Sequence, residues 1–197
     1  MKKTILLLLC ISVISVLLIA GCTQTPVPQP TPTATTAIPP TKAPDTVKTA
    51  DTTLGKILVD AKGMTLYYFA NDIPASGASS CYGQCAVAWP IFSTDTVTVS
   101  SPLDPADFGS ITRTDGTKQT TYYGWPLYYF QGDSKPGDAK GENVLKTWFV
   151  VKPDESVLIK NSATLGLYLT DTSGKTLYYF TKDTSGKSAC TDRKSVV

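Results

Sequence analysis

The chain has 197 residues, 42% of them apolar, with ten Tyr, six Phe and three Trp, which is room for a leader, a tether and one domain of ordinary size but not for two full-sized domains. Without Lys2 and Lys3, which lie in a segment expected to be removed, the 18 Lys and Arg fall to the same number as the 16 Asp and Glu, and a neutral chain lacks the basic stripe of a nucleic-acid binder. No histidine occurs, which excludes Ser-His-Asp and Cys-His nucleophile pairs, His-containing zinc sites, His-ligated c-type haem and the usual blue-copper site.

Met1-Lys2-Lys3 is a short positive start, and Thr4 to Ala20 is a nearly unbroken apolar run containing Cys10 and closed by Ile19-Ala20-Gly21-Cys22. This reads as a secretory signal ending at residue 21. The alternative, an uncleaved anchor, has about 17 apolar residues, at the short limit for a membrane span. Ala20 and Gly21 suit a narrow protease subsite, and the Cys22 thiol is able to carry a thioether-linked lipid. Ile19 to Cys22 resembles a lipobox, with Ile where Leu is commoner. Two or more acyl chains would make the anchoring stable, since one holds only marginally. The expectation is an exported protein held on the outer face of a cell membrane through acylated Cys22.

From residue 22 to about Thr53 the chain is rich in Thr, Pro, Ala and Val, has no aromatic residue, and contains Pro26, Pro28, Pro30, Pro32, Pro39, Pro40 and Pro44. Such a stretch cannot bury a core. An extended polyproline path of about 3 Å per residue makes it a tether, either a passive spacer or a stalk whose threonines carry sugars.

Beyond it an internal repetition dominates. Leu66-Tyr67-Tyr68-Phe69-Ala70-Asn71-Asp72 recurs as Leu127-Tyr128-Tyr129-Phe130-Gln131-Gly132-Asp133 and as Leu177-Tyr178-Tyr179-Phe180-Thr181-Lys182-Asp183. Val59 to Thr65 also resembles Thr170 to Thr176, so the first and third copies read as the start of one larger unit. The middle copy reads as a half-unit variant, with Trp148 following Asp133 much as Trp89 follows Asp72. Asp-x-x-Gly turn chemistry followed by a β-branched and aromatic run makes each copy a β-hairpin. In a strand Leu66 and Tyr68 face one way and Tyr67 and Phe69 the other. Both faces are then buried, or one is an exposed aromatic strip. Asp72, Asp133 and Asp183 read as acceptors of backbone N–H bonds in the turns that end these strands. The alternative is that they and the tyrosines form a binding surface.

Further strands are expected at Leu54 to Val59, Thr96 to Ser100, Ile111 to Arg113, Gln119 to Tyr123, Thr147 to Lys152, Ser156 to Lys160 and Thr164 to Leu169. Helix is confined to short turns at Gln84 to Trp89 and after Asp104, where Asp104 caps and Pro105 suits the first helical position. The expected fold is all-β: a small antiparallel sandwich or barrel-like domain built from LYYFxxD hairpin repeats, with little helix.

Cys81 and Cys85 lie four residues apart in a chain expected to be exported, and a local disulfide is the default. A helical turn would bring their Cα atoms to about 6 Å, within disulfide range, and on the chain-entropy account so short a loop gains only about 2 kcal/mol. A thiolate metal site lacks a third soft ligand, and the spacing is not that of thiol oxidoreductases.

Leu58-Val59-Asp60, Gly63, Thr65 to Phe69 and Asp72, then Cys81-Tyr82-Gly83-Gln84-Cys85-Ala86 and Trp89-Pro90, then Arg113 to Gly116, Gln119, Tyr122, Gly124 to Phe130, Asp133 and Pro136-Gly137-Asp138 together resemble a lipoprotein family marked by a Tyr-x-(Phe/Trp/Tyr)-x-x-Asp motif, also called the secreted repeat of unknown function. The resemblance covers about residues 53 to 158 as one module, taken as a domain of residues 54 to 160, and implies localisation rather than an activity. Residues 161 to 197 restart the module, with Cys190 where Cys81 stood but without the second Cys and the Trp-Pro, and read as a truncated further repeat. A shortened gene and an extra hairpin completing the first module's sheet are the two explanations.

The expected role is a non-catalytic binding or envelope-structural module using Tyr/Trp-rich strands, without cofactor or metal, whose candidate partners are membrane lipid and an envelope glycan or protein. An extracytoplasmic redox or electron-transfer accessory using Cys81 and Cys85 is the alternative. A two-carboxylate hydrolase ranks third, since nothing in the sequence pairs two acids across a cleft.

Overall fold

A computed structural model describes residues 46–190. The expected leader, Cys22 and all but the last residues of the tether lie outside the described residues, as do residues 191–197.

The described chain forms short antiparallel ladders: β1 (Val47–Thr52) with β2 (Gly55–Asp60), β3 (Tyr67–Phe69) with β7 (Trp148–Val150), β4 (Phe108–Thr112) with β5 (Lys118–Tyr122) and β6 (Trp125–Pro126), and β8 (Val157–Ser162) with β9 (Gly166–Asp171). A five-residue helix α1 (Gln84–Ala88) and two single 3-10 turns complete it. No helix among the described residues is long and apolar enough to cross a membrane.

Two halves of the same design are visible. In each, a hairpin is followed by a tight turn that brings the LYYF run back along the hairpin: the Leu66 N–H donates to the Leu58 carbonyl and the Leu127 N–H to the Thr120 carbonyl, both at 3.0 Å. Each half then lends its tryptophan segment to the other. Residues after Asp133 pair with the first LYYF run, Val150 opposite Tyr67, and residues after Asp72 pair with the second, Ile91 opposite Tyr128. The hydrogen bonds repeat as well. Val151 is inserted between Leu58 and Leu66, and Phe92 in the same way between Thr120 and Leu127. At the centre Tyr67 and Tyr128 exchange both backbone bonds, at 2.9 and 3.0 Å. The halves are therefore related by an approximate two-fold axis through this pair.

Strand alternation then puts a core on both sides of the LYYF runs. Leu66, Tyr68 and Leu127 pack with Leu58, Phe92 and Trp125 on one side, and Tyr67 and Tyr128 with Ile57, Val59, Trp148 and Val150 on the other. Of the two options open in the sequence, burial on both faces holds for the first two copies.

Several expectations need correction. The tether does not reach residue 53, because Val47–Thr52 is strand β1 and Val47 is fully buried. Alternating small polar residues hid this strand, which owes its place to pairing with β2. Thr96 to Ser100 is not a ladder strand; Val99 makes a single parallel bridge to Val47. A boundary at 160/161 cuts through β8, whose Leu158 is buried in the first core. The β8–β9 hairpin docks there through Asn161 N–H to the Ala70 carbonyl at 3.0 Å, Ile159 N–H to the Tyr68 hydroxyl at 3.3 Å and Trp125 Nε1–H to the Thr172 carbonyl at 2.9 Å. Leu177 to Phe180, expected as a strand, has no ladder partner among the described residues. The middle copy keeps the half-unit plan of hairpin, turn and LYYF run, with Tyr123-Gly124 in its turn where the first and third copies share the Asp60 to Met64 and Asp171 to Lys175 turn.

Candidate functional site

The motif residues of the first two copies meet across the approximate two-fold axis. The Tyr67 hydroxyl donates to Asp133 Oδ2 at 2.6 Å and the Tyr128 hydroxyl to Asp72 Oδ2 at 2.7 Å. Each tyrosine thus reaches the aspartate of the other copy, not the one five residues along its own. The remaining carboxylate oxygens close their own loops: Asp72 Oδ1 accepts from Ser80 N–H at 2.7 Å and Asp133 Oδ1 from Lys140 N–H at 2.9 Å. The expected backbone acceptor role is present, but the donor lies seven or eight residues away rather than in the immediate turn. Ser79 Oγ lies 2.6 Å from the Tyr128 hydroxyl, and Gly141 N–H donates to the Tyr67 hydroxyl at 3.2 Å.

A second reciprocal feature is an aromatic stack. Phe69 lies on Trp148 with centroids 4.2 Å apart, Trp148 on Trp89 at 3.8 Å and an interplanar angle of 2°, and Trp89 on Phe130 at 4.4 Å. Rings from the two copies alternate along it, so the motif phenylalanines cap a pair of tryptophans drawn one from each half. Such contacts add about 0.5–1.5 kcal/mol per pair beyond the apolar area they bury.

Burial dominates the titration of the group. The Asp72 and Asp133 carboxyls are pushed above the ordinary carboxylate value by desolvation, against the pull of the bonds they accept from Ser80, Tyr128, Tyr67 and Lys140. The Tyr67 and Tyr128 phenols are raised well above the ordinary tyrosine value, by burial first and by the facing aspartates next.

Cys81 and Cys85 form a disulfide with Cα atoms 5.3 Å apart, straddling the start of α1. Arg113, itself buried, donates from Nη1 to Gln119 Oε1 at 2.7 Å and from Nη2 to the Cys81 carbonyl, and its guanidinium lies over the Tyr82 ring at 4.3 Å. Gln119 Nε2 donates in turn to the Leu127 carbonyl at 2.9 Å. The disulfide loop is thereby tied to the second copy. Sequence reading missed Arg113, Gln119, Ser79 and Gly141 as parts of this network. The offsets from Asp72 to Ser80 and from Asp133 to Lys140 were available, but Ser80 and Lys140 are unlike side chains, and the donor common to both loops is the backbone N–H, which Ser80 supplements with its hydroxyl.

Among the described residues the third copy has the local geometry without a partner half. Asp183 N–H donates to the Phe180 carbonyl at 2.9 Å, as Asp72 N–H does to Phe69, and Asp183 Oδ1 accepts from Ala189 N–H at 2.6 Å. Its Tyr178 and Tyr179 are 86% and 87% exposed, where Tyr67 and Tyr68 are 0% and 3% exposed. Cys190 is exposed. Among the described residues no cluster of three or more Cys, Asp or Glu is arranged to hold a metal ion.

Comparison with known proteins agrees with this threefold plan. A family model described as a secreted repeat of unknown function matches the chain three times, over residues 48–93, 109–152 and 162–194. The first two matches coincide with the two exchanged halves and the third with the exposed copy. No curated protein and no solved structure matches the chain.

Proposed function

The chain belongs to the family of secreted repeats of unknown function, and on that premise we propose that it is an exported, lipid-anchored, non-catalytic module of the cell envelope. The observation that carries the reading is the use made of the motif residues. A catalytic acid or base must lie within hydrogen-bond reach of a substrate proton. Tyr67, Tyr128 and Asp72 are instead buried and bonded to the opposite half, which suits a signature conserving a joint between repeats. The exposed tyrosines of the third copy have the composition of a contact surface, with apolar area and a hydrogen-bonding tip. The anchor rests on the lipobox-like Ile19 to Cys22.

The redox alternative draws less support. Cys81 is fully buried within the tryptophan-centred core and Cys85 is half-buried against it, and since exchange depends on access to a sulfur, a staple fits better than an exchange centre.

Detergent phase partitioning of the exported protein tests the anchor. The wild-type chain is expected in the detergent phase and Cys22→Ser in the aqueous phase. A membrane-bound form that still carries Met1 to Gly21 would overturn the anchor. Co-sedimentation of the aqueous form with purified envelopes tests the contact role, and absence of any co-sedimentation would remove it.

A further inference from the structure

The third copy repeats the first through its hairpin, turn and LYYF run. Its turn is the same: the Asp171 and Lys175 backbones bond as those of Asp60 and Met64 do, at 2.9 Å in both, and the Leu177 N–H reaches the Leu169 carbonyl at 2.9 Å as Leu66 reaches Leu58 at 3.0 Å. Asp171 Oδ1 accepts from Lys175 N–H as Asp60 Oδ1 does from Met64 N–H, both at 2.9 Å. What differs is exposure. Leu177, Tyr178, Tyr179, Phe180 and Leu169 are all exposed, whereas their counterparts Leu66, Tyr67, Tyr68 and Leu58 are buried. The bond between Asp183 and Ala189 uses Oδ1 only, and among the described residues Asp183 Oδ2 accepts nothing, while the equivalent oxygen of Asp72 receives a tyrosine from the opposing half. The third copy therefore presents one tyrosine donor and one aspartate acceptor at the positions that form reciprocal bonds in the first two. It also presents a short unpaired backbone edge, a template for strand addition.

The geometry points to a second copy of this chain as the occupant: two third repeats pair across a true two-fold axis, as the first and second repeats pair across the approximate one. Each Tyr178 exchanges both backbone bonds with its mate and donates its hydroxyl to the mate's Asp183 Oδ2. A self-complementary patch is what an isologous dimer requires. The internal pair supplies the argument for this occupant, since it joins two half-units of the same design by contacts that are identical in both directions. The interface proposed here uses the Leu177 to Phe180 run and Asp183 without a tryptophan segment, and so falls in the weak, concentration-dependent class below about 1,200 Å².

Sedimentation equilibrium of the full chain in detergent, with micelles in excess over protein so that shared micelles do not mimic pairing, tests the proposal. The mass is expected to rise from one chain towards two as concentration increases. Tyr178→Phe, which removes only the reciprocal hydroxyl, should weaken the dimer about tenfold or more, the effect of losing two hydrogen bonds to carboxylates. Tyr178→Lys should keep the chain monomeric, with an unchanged near-ultraviolet circular dichroism spectrum as the check on folding. A wild-type chain that stays monomeric to about 1 mM, a concentration at which an association of only about 4 kcal/mol would be visible, overturns the proposal, as does a Tyr178→Lys chain that dimerises like wild type. Failure of the lipid anchor shows instead in phase partitioning and leaves this mass measurement unaffected.

Discussion

The Tyr67 hydroxyl donates to Asp133 Oδ2 at 2.6 Å, so the tyrosine of one repeat is completed by the aspartate of the next rather than by its own. A hydrogen bond to a charged acceptor is worth about 1.5–3 kcal/mol, and Tyr67 to Asp133 and Tyr128 to Asp72 are two such bonds, one in each direction.

Tyr67→Phe and Tyr128→Phe are each expected to destabilise the domain by about 1.5–3 kcal/mol. Urea unfolding of a double-mutant cycle separates the cross-repeat wiring from a same-repeat one. The pair Tyr128 and Asp72 should show a coupling of about 0.5–3 kcal/mol, and the pair Tyr128 and Asp133 almost none. The reverse ordering would contradict the exchange between halves.

Gly141 sits where a Cβ would come within 2.8 Å of Trp89 Cη2 and of Tyr67 Cε1. Gly141→Ala should therefore push apart the tryptophan pair and cost about 1–3 kcal/mol, as overpacking of a filled core does. Tryptophan fluorescence and thermal unfolding would register it together. An unchanged melting temperature would mean that the stack is looser than the 3.8 Å ring separation implies.

Thr170 is fully buried, and among the described residues its hydroxyl has no hydrogen-bond partner. The matching position in the first repeat is Val59, equally buried. Thr170→Val keeps the shape and removes an unsatisfied hydroxyl, and should stabilise the protein by about 1–3 kcal/mol. Differential scanning calorimetry reads this as a higher melting temperature; a lower one would show that the hydroxyl is satisfied in solution.

The pH dependence follows from two opposing sets of carboxyls. Burial raises Asp72, Asp133 and Glu142, so the native state holds protons that the unfolded state releases, and stability falls as pH rises from the ordinary carboxylate value through these raised values. Backbone and side-chain bonds lower Asp115, Asp138 and Asp171, and the stability they contribute is present above the ordinary value and lost as pH falls through the lowered ones. The melting temperature should therefore peak near the ordinary carboxylate value of about pH 4, instead of at neutrality. In the alkaline range, Tyr67, Tyr68, Tyr122, Tyr128 and Tyr129 are raised by burial. Stability is whole below the unfolded tyrosine value of about 10 and declines above it. Ultraviolet titration at 295 nm should show these phenols ionising together with unfolding, and normal titration of all ten tyrosines in a folded chain would refute it.

The sequence by itself determined the repeat, the all-β character, the family and the local turns. LYYFxxD recurs at full identity in its fixed positions, and turn residues such as Asp60, Gly63 and Asp104 act on their immediate neighbours. The Cys81 to Cys85 staple was legible for the same reason, since it closes within one turn. Strand β1 was not, because Val47 to Thr52 has little apolar content of its own and is held by its register with β2.

Only the tertiary structure decided what the motif is for. A repeat states that units are alike but not which units pair, and the bonds Tyr67 to Asp133 and Tyr128 to Asp72 span tens of residues along the chain. The same five fixed letters are buried or half-buried in two copies and exposed in the third. Burial here is a property of the partner and not of the segment: a strand's free edge and its aromatic face are satisfied only by another strand, which no local sequence encodes.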